Sequence, residues 1–515
     1  MEQLFGPVTA AFPLLLSALL VSSCYDGRMS AYHVDSLNGN DRNTGKSPAE
    51  AWKTLRRAMK QKLGPGDSLL LKRGCSWNES LRIRGSGKRG RPITLGTYGP
   101  GPKPRLVSKV FPIVANDGPV SWWHIKGLEV RGATSFDPFL KGLGRDSGIA
   151  LYQSAPSVGM VIEDCVVHDV SGSGIVIAAG AAGRTVFRDW LVTRCEVYNA
   201  GTGIATHGPW PPSADMDRFH RCHSNFRVTH CRTHDMVADG IVLSHCRDGV
   251  IEHCAAWRTG IGRVRRTPVG IWFFMARRCI IQFCESFDNH PAGGKADGGG
   301  FDLDGGCVEC VMQYNYSHDN DGAGYLICSY DPVNAPCIKC VTRFNLSVND
   351  GRMNDYPAIL FWQAVDCVTY NNTCITRISS PLKFTSDTSG HLIANNIFVV
   401  DSGSDIPVVK SAFAMDANTF RNNLYWRTGG KARFEIQAAK NLGMPGFAAL
   451  VQSRGEKCAD PGLTALSGHL VLLRKGSPCT GAGTRLPGMG RRDLYGTAPG
   501  GSGQVNIGCS LARPR

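Results

Sequence analysis

One short pattern recurs along this chain and limits what it can fold into. The segments VIEDCVVHD, VTRCEVYN, VTHCRTHD, VIEHCAAWR and IIQFCESFD place Cys at positions 165, 195, 231, 254 and 284. The series continues as VMQYNYSHD, VTRFNLSVN, VTYNNTCIT, LIANNIFVV and FRNNLYW, with Asn at 315, 345, 372, 396 and 423. Successive steps are 30, 36, 23, 30, 31, 30, 27, 24 and 27 residues. A second landmark follows most of the first ones: GIVIA, GIATH, GIVLS, GIWFF, GFDLD, GYLIC, AILFW and PLKFT. Self-similarity at this period is the mark of a stacked repeat.

Each unit consists of short β-branched or aromatic runs joined by Gly, Asn and Asp turns, with no helical period. Such a unit cannot bury its apolar face alone. Stacked about 4.8 Å from its neighbours, it builds a continuous core with like residues in columns. The shortest steps, near 23 residues, match one solenoid coil, and the longer ones carry insertions. The pattern predicts an all-β chain, a right-handed parallel β-helix of about ten coils over 111–430. Residues 25–110 would hold an N-terminal cap and the first coils, with a capping helix over 51–62 that puts Trp52, Leu55 and Met59 on one face. Residues 431–515 read as an irregular arm packed along the solenoid. The 42% hydrophobic and 19% charged composition excludes a disordered chain.

The repeat region resembles the pectate-lyase-like (pectin-lyase-fold) β-helix superfamily. Tyr32-His33-Val34-Asp35, Asn38-Gly39-Asn40-Asp41, Thr44-Gly45, Ser47-Pro48 and Ala51-Trp52-Lys53-Thr54-Leu55 are similar to the opening of many bacterial polysaccharide-degrading β-helix proteins. Gly476-Ser477-Pro478, Ala482-Gly483 and Asn506-Ile507-Gly508 resemble their ending. The resemblance implies a fold and a broad class of glycan chemistry, not one activity. The polygalacturonase set of Asn-Thr-Asp, Asp-Asp, Gly-His-Gly and Arg-x-Lys is absent, and Thr206-His207-Gly208 is a partial echo.

The same register explains most of the 20 cysteines. Five share the first landmark. Cys279, Cys310, Cys340 and Cys367 sit five residues before it, and Cys246, Cys307 and Cys337 eight before it. Small thiols stacked in this way fill narrow corners, while Asn columns satisfy turn backbone. Cys307-x-x-Cys310 and Cys337-x-x-Cys340 also spell a pair of zinc-like CxxC motifs. The ladder reading is preferred, because their separation is longer than ribbon spacing and Cys279 and Cys367 repeat the rung without a partner. Disulfides are expected, if anywhere, among Cys458, Cys479 and Cys509.

In the second-landmark strands, alternation sends Ile175, Ile204, Ile241, Ile271, Phe301, Tyr325, Ile359 and Leu382 inward. One outward column then reads Val176, Ala205, Val242, Trp272, Asp302, Leu326, Leu360 and Lys383. The next reads Ala178, His207, Ser244, Phe274, Asp304, Cys328, Trp362 and Thr385. One coil thus presents Asp302 and Asp304 on one exposed face, with Cα atoms about 6.5 to 7 Å apart. That spacing suits the two carboxylates of glycoside hydrolysis, and crowding would raise one pKa and keep a proton for a leaving group. Trp272, Phe274 and Trp362 are candidate sugar platforms, with His207 and Lys383 on the same columns.

Three insertions, 258–270, 288–300 and 349–358, all precede the exposed strand and would build a cleft. They carry Arg258, Arg263, Arg265 and Arg266; His290, Lys295 and Asp297; and Arg352, Asp355 and Tyr356. The arginines, with a net charge of +15, suit an anionic glycan. Asp297, Asp319 and Asp321 are candidate ligands for Ca²⁺, the tight-turn role of Asp-Gly being the alternative. His318 borders the Asp coil and could assist there.

The expected function is a secreted glycoside hydrolase with Asp302 and Asp304 as acid and base or nucleophile, a reaction that needs no cofactor. The alternative is a polysaccharide lyase, in which Lys295, Lys383 or His318 removes a proton and Ca²⁺ or Arg neutralises a uronate. A non-catalytic glycan-binding adhesin is the third reading. Nucleic acid is not an expected partner, since the basic residues join no recognised module. The run over 10–21 reads as a signal-peptide core within a 1–24 leader. Val21-Ser22-Ser23-Cys24 has the form of a lipobox, although no Lys or Arg precedes the run. The protein is expected to be exported, extracellular, periplasmic or lipid-anchored, and a monomer.

Overall fold

A computed structural model describes residues 29–510 other than 117, 134–136, 138–145, 154, 180–186, 209–219, 221, 263–267, 295–296, 387, 465–470, 490–491 and 498–503. The chain winds as a parallel β-helix with three strand faces per coil. The first face stacks fifteen rungs in parallel, from Ala31–Val34 through Ser68–Lys72 and Val161–Glu163 to Val451–Arg454. The second face includes Glu285–Phe287, Tyr316–His318 and Leu346–Val348. The third includes Val269–Phe274, Gly299–Leu303, Tyr325–Cys328 and Ile359–Trp362. The solenoid is longer than the ten coils expected. Four rungs precede the first landmark and one follows the last, because those coils keep the strand pairing without the Cys or Asn that marks the others.

That landmark sits at the corner between the first and second faces. The residue before it adopts a left-handed backbone in every coil of the series, from Asp164 (φ 50°) and Arg194 (φ 52°) to Phe344 (φ 53°) and Asn422 (φ 54°). For an L-residue this costs roughly 1–2 kcal/mol, so the corner needs compensating bonds. The landmark side chain supplies them. Asn345 Oδ1 accepts from the Asn315 backbone amide at 2.9 Å, and its Nδ2 donates to the Met312 carbonyl at 3.0 Å. Asn372, Asn396 and Asn423 repeat both bonds one coil on. Cysteine performs the same two tasks more weakly. Cys254 Sγ accepts from the Cys231 amide at 3.5 Å and donates to the Val228 carbonyl at 3.6 Å.

The other two cysteine ladders are also in register, through the pairs Ile280↔Val311, Val311↔Val341 and Val341↔Val368 and the bridges Arg277↔Val308 and Val308↔Ile338. Every described cysteine is a free thiol, Cys458, Cys479 and Cys509 included.

At the N-terminus the expected helix over 51–62 shrinks to one turn, Leu55–Ala58. The Asp41 carboxylate explains this. It accepts from the amides of Lys53 and Thr54 and from the Thr54 hydroxyl, while Thr54 caps Arg57, so the segment before Leu55 stays extended. Trp52 and Leu55 still close the first coil, Trp52 stacked on Tyr32 at 5.2 Å. Parallel pairing at the other end runs past residue 430, to Lys457–Cys458. Residues beyond it form the arm, whose Val471, Leu473, Cys479, Ile507 and Cys509 cover Leu346, Ile375, Ile397, Val399 and Leu424 of the second face. No helix among the described residues is long and apolar enough to cross a membrane. The 1–24 leader, Cys24 included, lies outside the described residues.

Candidate active site

The third face carries the acids where the alternation predicts. Trp272 pairs with Asp302, Asp302 with Leu326, and Cys328 with Trp362, so both outward columns hold. The face is not open, however. Asp302 is 3% exposed and Phe274 9%. Phe274 packs with Met275 and Ala335, and Tyr330 lies over it at 6.1 Å. Phe274 is therefore wall, not sugar platform. Trp272 is partly buried and Trp362 is 42% exposed. Two polar atoms here are buried without a partner, Asp302 Oδ1 and Trp272 Nε1, on adjacent rungs.

Loops from both edges cover the strand. On the edge before it, the Tyr356 hydroxyl donates to Asp297 Oδ1 at 2.9 Å and accepts from the Asp297 amide at 3.3 Å. On the edge after it, the 329–337 loop brings Tyr330, and His220 of the 208–222 insertion bonds to the Gly306 carbonyl at 2.9 Å, two residues from Asp304. That insertion went unread, although the 36-residue step between Cys195 and Cys231 contains it. Tyr330 stands outside the repeat pattern and carries no sequence signal of its own.

Four carboxylates share the site electrostatically. Burial pushes Asp302 well above the usual carboxylate range, and the charges of Asp304, Asp297 and Asp239 add to it. Asp304 is raised to about 7, first by burial and then by Asp297 and Asp239, against hydrogen bonds from Gly305 and Cys328. The Gly305 amide donates to Asp304 Oδ1 at 2.6 Å. Asp239 is buried, with Oδ1 accepting from the Val269 amide at 3.2 Å. Its sequence context, an ordinary Ala-Asp-Gly turn, hid it. Asp297 and Asp304 are partly open where Asp302 and Asp239 are buried.

The remaining expected residues lie elsewhere. His318 is on the second face, in a stack of rings with Phe287 at 4.9 Å, and contacts Glu285 at 3.3 Å and Asp319 at 2.9 Å. It does not join the acids, because the 319–324 turn separates the two faces. Lys383 donates to Asp355 Oδ2 at 2.7 Å, which Lys410 shares at 2.8 Å, so its charge is already matched. His207 is exposed three rungs above Asp304. Arg352 is exposed and donates to the Asp319 carbonyl at 3.3 Å. Arg258 forms a two-bond pair with Asp235 at the second-face corner. Arg263, Arg265, Arg266 and Lys295 lie outside the described residues. The expected Ca²⁺ ligands do not gather: Asp297 holds Tyr356, Asp319 holds His318 and Asn349, and Asp321 faces His290 at 3.0 Å. Among the described residues these carboxylates form no cluster close enough to hold an ion, and each is taken up by partners that include residues of other coils.

No protein-family profile matches the chain. A lacto-N-biosidase of Bifidobacterium longum subsp. longum is 23% identical over 514 residues, covering 79% of this chain and 31% of the relative. The chain therefore spans about a third of that relative's length. The solved GH136 lacto-N-biosidase from Eubacterium ramulus superposes with a TM-score of 0.55 at 18% identity, over 83% of this chain and 68% of that one. XylC in complex with xylose does so at 0.52 and 10% identity, over 94% and 99%. The chain shares the fold of these proteins. The resemblance carried by the repeat thus holds at the level of architecture, a parallel β-helix.

Proposed function

We propose that this protein is a glycoside hydrolase acting on a neutral glycan at the third-face acids. The observation that carries the reading is the cluster of Asp239, Asp297, Asp302 and Asp304, two buried and two partly open, beneath loops from both edges. Asp304, raised to about 7, is the proton donor to the leaving oxygen. Asp297, which accepts the Tyr356 hydroxyl bond, serves as nucleophile or base. Asp302, buried and held neutral, adds no charge of its own to the pair. Trp272 and Trp362 line the sugar path. A hydrolase is what the lacto-N-biosidase likeness favours as well. The base Asp297 repels a uronate, and the cations Lys383 and Lys410 are taken up by Asp355, so a neutral substrate is favoured over an anionic one. Of the bases named for the lyase reading, Lys383 is paired and His318 is on another face, while Lys295 lies outside the described residues. The protein is further proposed to be exported, with its leader removed or lipidated, and to need no metal for this reaction.

A panel of glycans, from lacto-N-biose-containing oligosaccharides to xylan and pectin, tests the reading. New reducing ends without unsaturated products are expected. Unsaturated, ultraviolet-absorbing ends would mean a lyase, and binding without cleavage an adhesin. A second reading keeps Asp302 and Asp304 as the reacting pair, because they share one strand face. Under the preferred roles Asp297→Asn loses activity about 10³-fold or more and Asp302→Asn less. The reverse order assigns the pair to Asp302 and Asp304.

A further inference from the structure

Inside the solenoid two cysteine ladders converge. Cys337 Sγ and Cys340 Sγ are 3.8 Å apart, and with Cys367 of the next coil all three sulfurs lie within 4.8 Å of one another. Among the described residues no other trio of His, Cys, Asp or Glu comes so close. A tetrahedral zinc with Zn–S bonds of about 2.3 Å has edges of about 3.8 Å between sulfurs. The missing partner of Cys367 is thus supplied by the coil before it rather than by its own sequence neighbourhood.

The next rung of the same ladder is His391, since Leu392 pairs with Val368. Its imidazole contacts the Cys367 thiol. Nδ1 accepts from the Cys367 amide at 3.1 Å and so carries no proton, while Nε2 is buried without a partner. His391 is 1% exposed. Ala364 stands one coil below Cys337, leaving only a methyl group beside Cys367. At present the thiols donate to carbonyls: Cys337 to Leu303 at 3.4 Å, Cys340 to Cys307 at 3.4 Å and Cys367 to Val365 at 3.3 Å.

We propose that Cys337, Cys340, Cys367 and His391 form a structural zinc site that ties three consecutive coils together beneath the third face. Three sulfurs are in place, and the imidazole, which lies outside that 4.8 Å trio, has to turn inward to complete a soft, closed donor set with no position left for water, the pattern of a structural site rather than a catalytic one. Binding releases three thiol protons and replaces the thiol–carbonyl bonds; His391 gives the lone pair of Nδ1 in place of its bond from the Cys367 amide and keeps its proton on Nε2, and the ion enters as the coils close. The site stands apart from the hydrolase reading and does not rest on it.

Full-length protein expressed with added zinc, desalted and assayed by elemental analysis, is expected to hold about one zinc per chain. Growth with cobalt instead should give thiolate-to-cobalt charge-transfer absorption. Cys367→Ser should reduce the metal to below about a tenth of an equivalent, whereas Cys254→Ser, in the corner ladder, should keep it. His391→Gln is expected to yield its zinc to a chelator about tenfold more readily. Folded wild-type protein holding less than about a tenth of an equivalent, with no charge-transfer band under cobalt, would overturn the proposal, as would full zinc in Cys340→Ser/Cys367→Ser. Wild-type metal content alone decides the matter if the variants fail to fold.

Discussion

At each corner of the solenoid one sulfur or one amide stands between a strained backbone and the coil above. The exchange of Cys for Asn after position 284 is a change of bond strength, not of role, because both accept the same amide and donate to the same carbonyl. Asn345→Cys should therefore fold and lose about 1 kcal/mol, while Asn345→Ala leaves the Asn315 amide and the Met312 carbonyl unpaired and loses about 2–4 kcal/mol. Urea unfolding of the two variants checks the difference. A second buried column, Asn289, Asn320 and Asp350, ends in an acid where an amide would serve. Burial pushes Asp350 up to about 6, against bonds from Ser347, Ser317 and Asn320. Its folded pKa lies above the unfolded value, so its stabilising contribution is complete below about pH 4 and is lost as pH rises through 6. Asp350→Asn, which continues the amide ladder, should raise stability at pH 8 by an amount on the order of 3 kcal/mol and change nothing at pH 4. Equal shifts at both pH values would contradict this account of the column.

Between elements, the strands were legible and the loops over them were not. Alternation along 271–274 and 301–304 places Trp272, Phe274, Asp302 and Asp304 on one side correctly, because strand period is set by the backbone. Whether that side meets solvent is decided by the 329–337 loop and by His220, neither of which belongs to a repeat that can be read. Phe274 and Asp302 are accordingly buried, and Tyr330 enters the site unannounced. Stacked on Phe274 and close to Gly305, Tyr330 keeps water from Asp304. Tyr330→Ala should let water in, lower the Asp304 pKa and move the alkaline limb of the pH–rate profile down by roughly half a unit or more. A limb that stays in place would remove Tyr330 from the site. His318 shows the opposite failure. Neighbouring the Asp coil in sequence, it is carried to a different face by one turn.

For the molecule as a whole, ten landmarks were enough to give the architecture, since a repeat that cannot bury its own core has few ways to stack. The number of coils was not legible, because the first four rungs hold the same pairing with Asp35, Lys72, Tyr98 and Leu128 in place of the Cys and Asn markers. Nor was the place of the arm, whose 459–510 segment is fixed by bonds such as Asn371 Nδ2 to the Gly508 carbonyl at 2.9 Å. The solenoid carries the acids on a single face, where hydrolysis is proposed. The direct measurement is kcat/KM for a cleaved glycan with wild-type protein and with Asp304→Asn, both verified as folded by circular dichroism. A wild-type rate that falls as pH climbs past about 7, and a loss of about 10³-fold or more in Asp304→Asn, are predicted. An Asp304→Asn protein that cleaves within about twofold of wild type would contradict it.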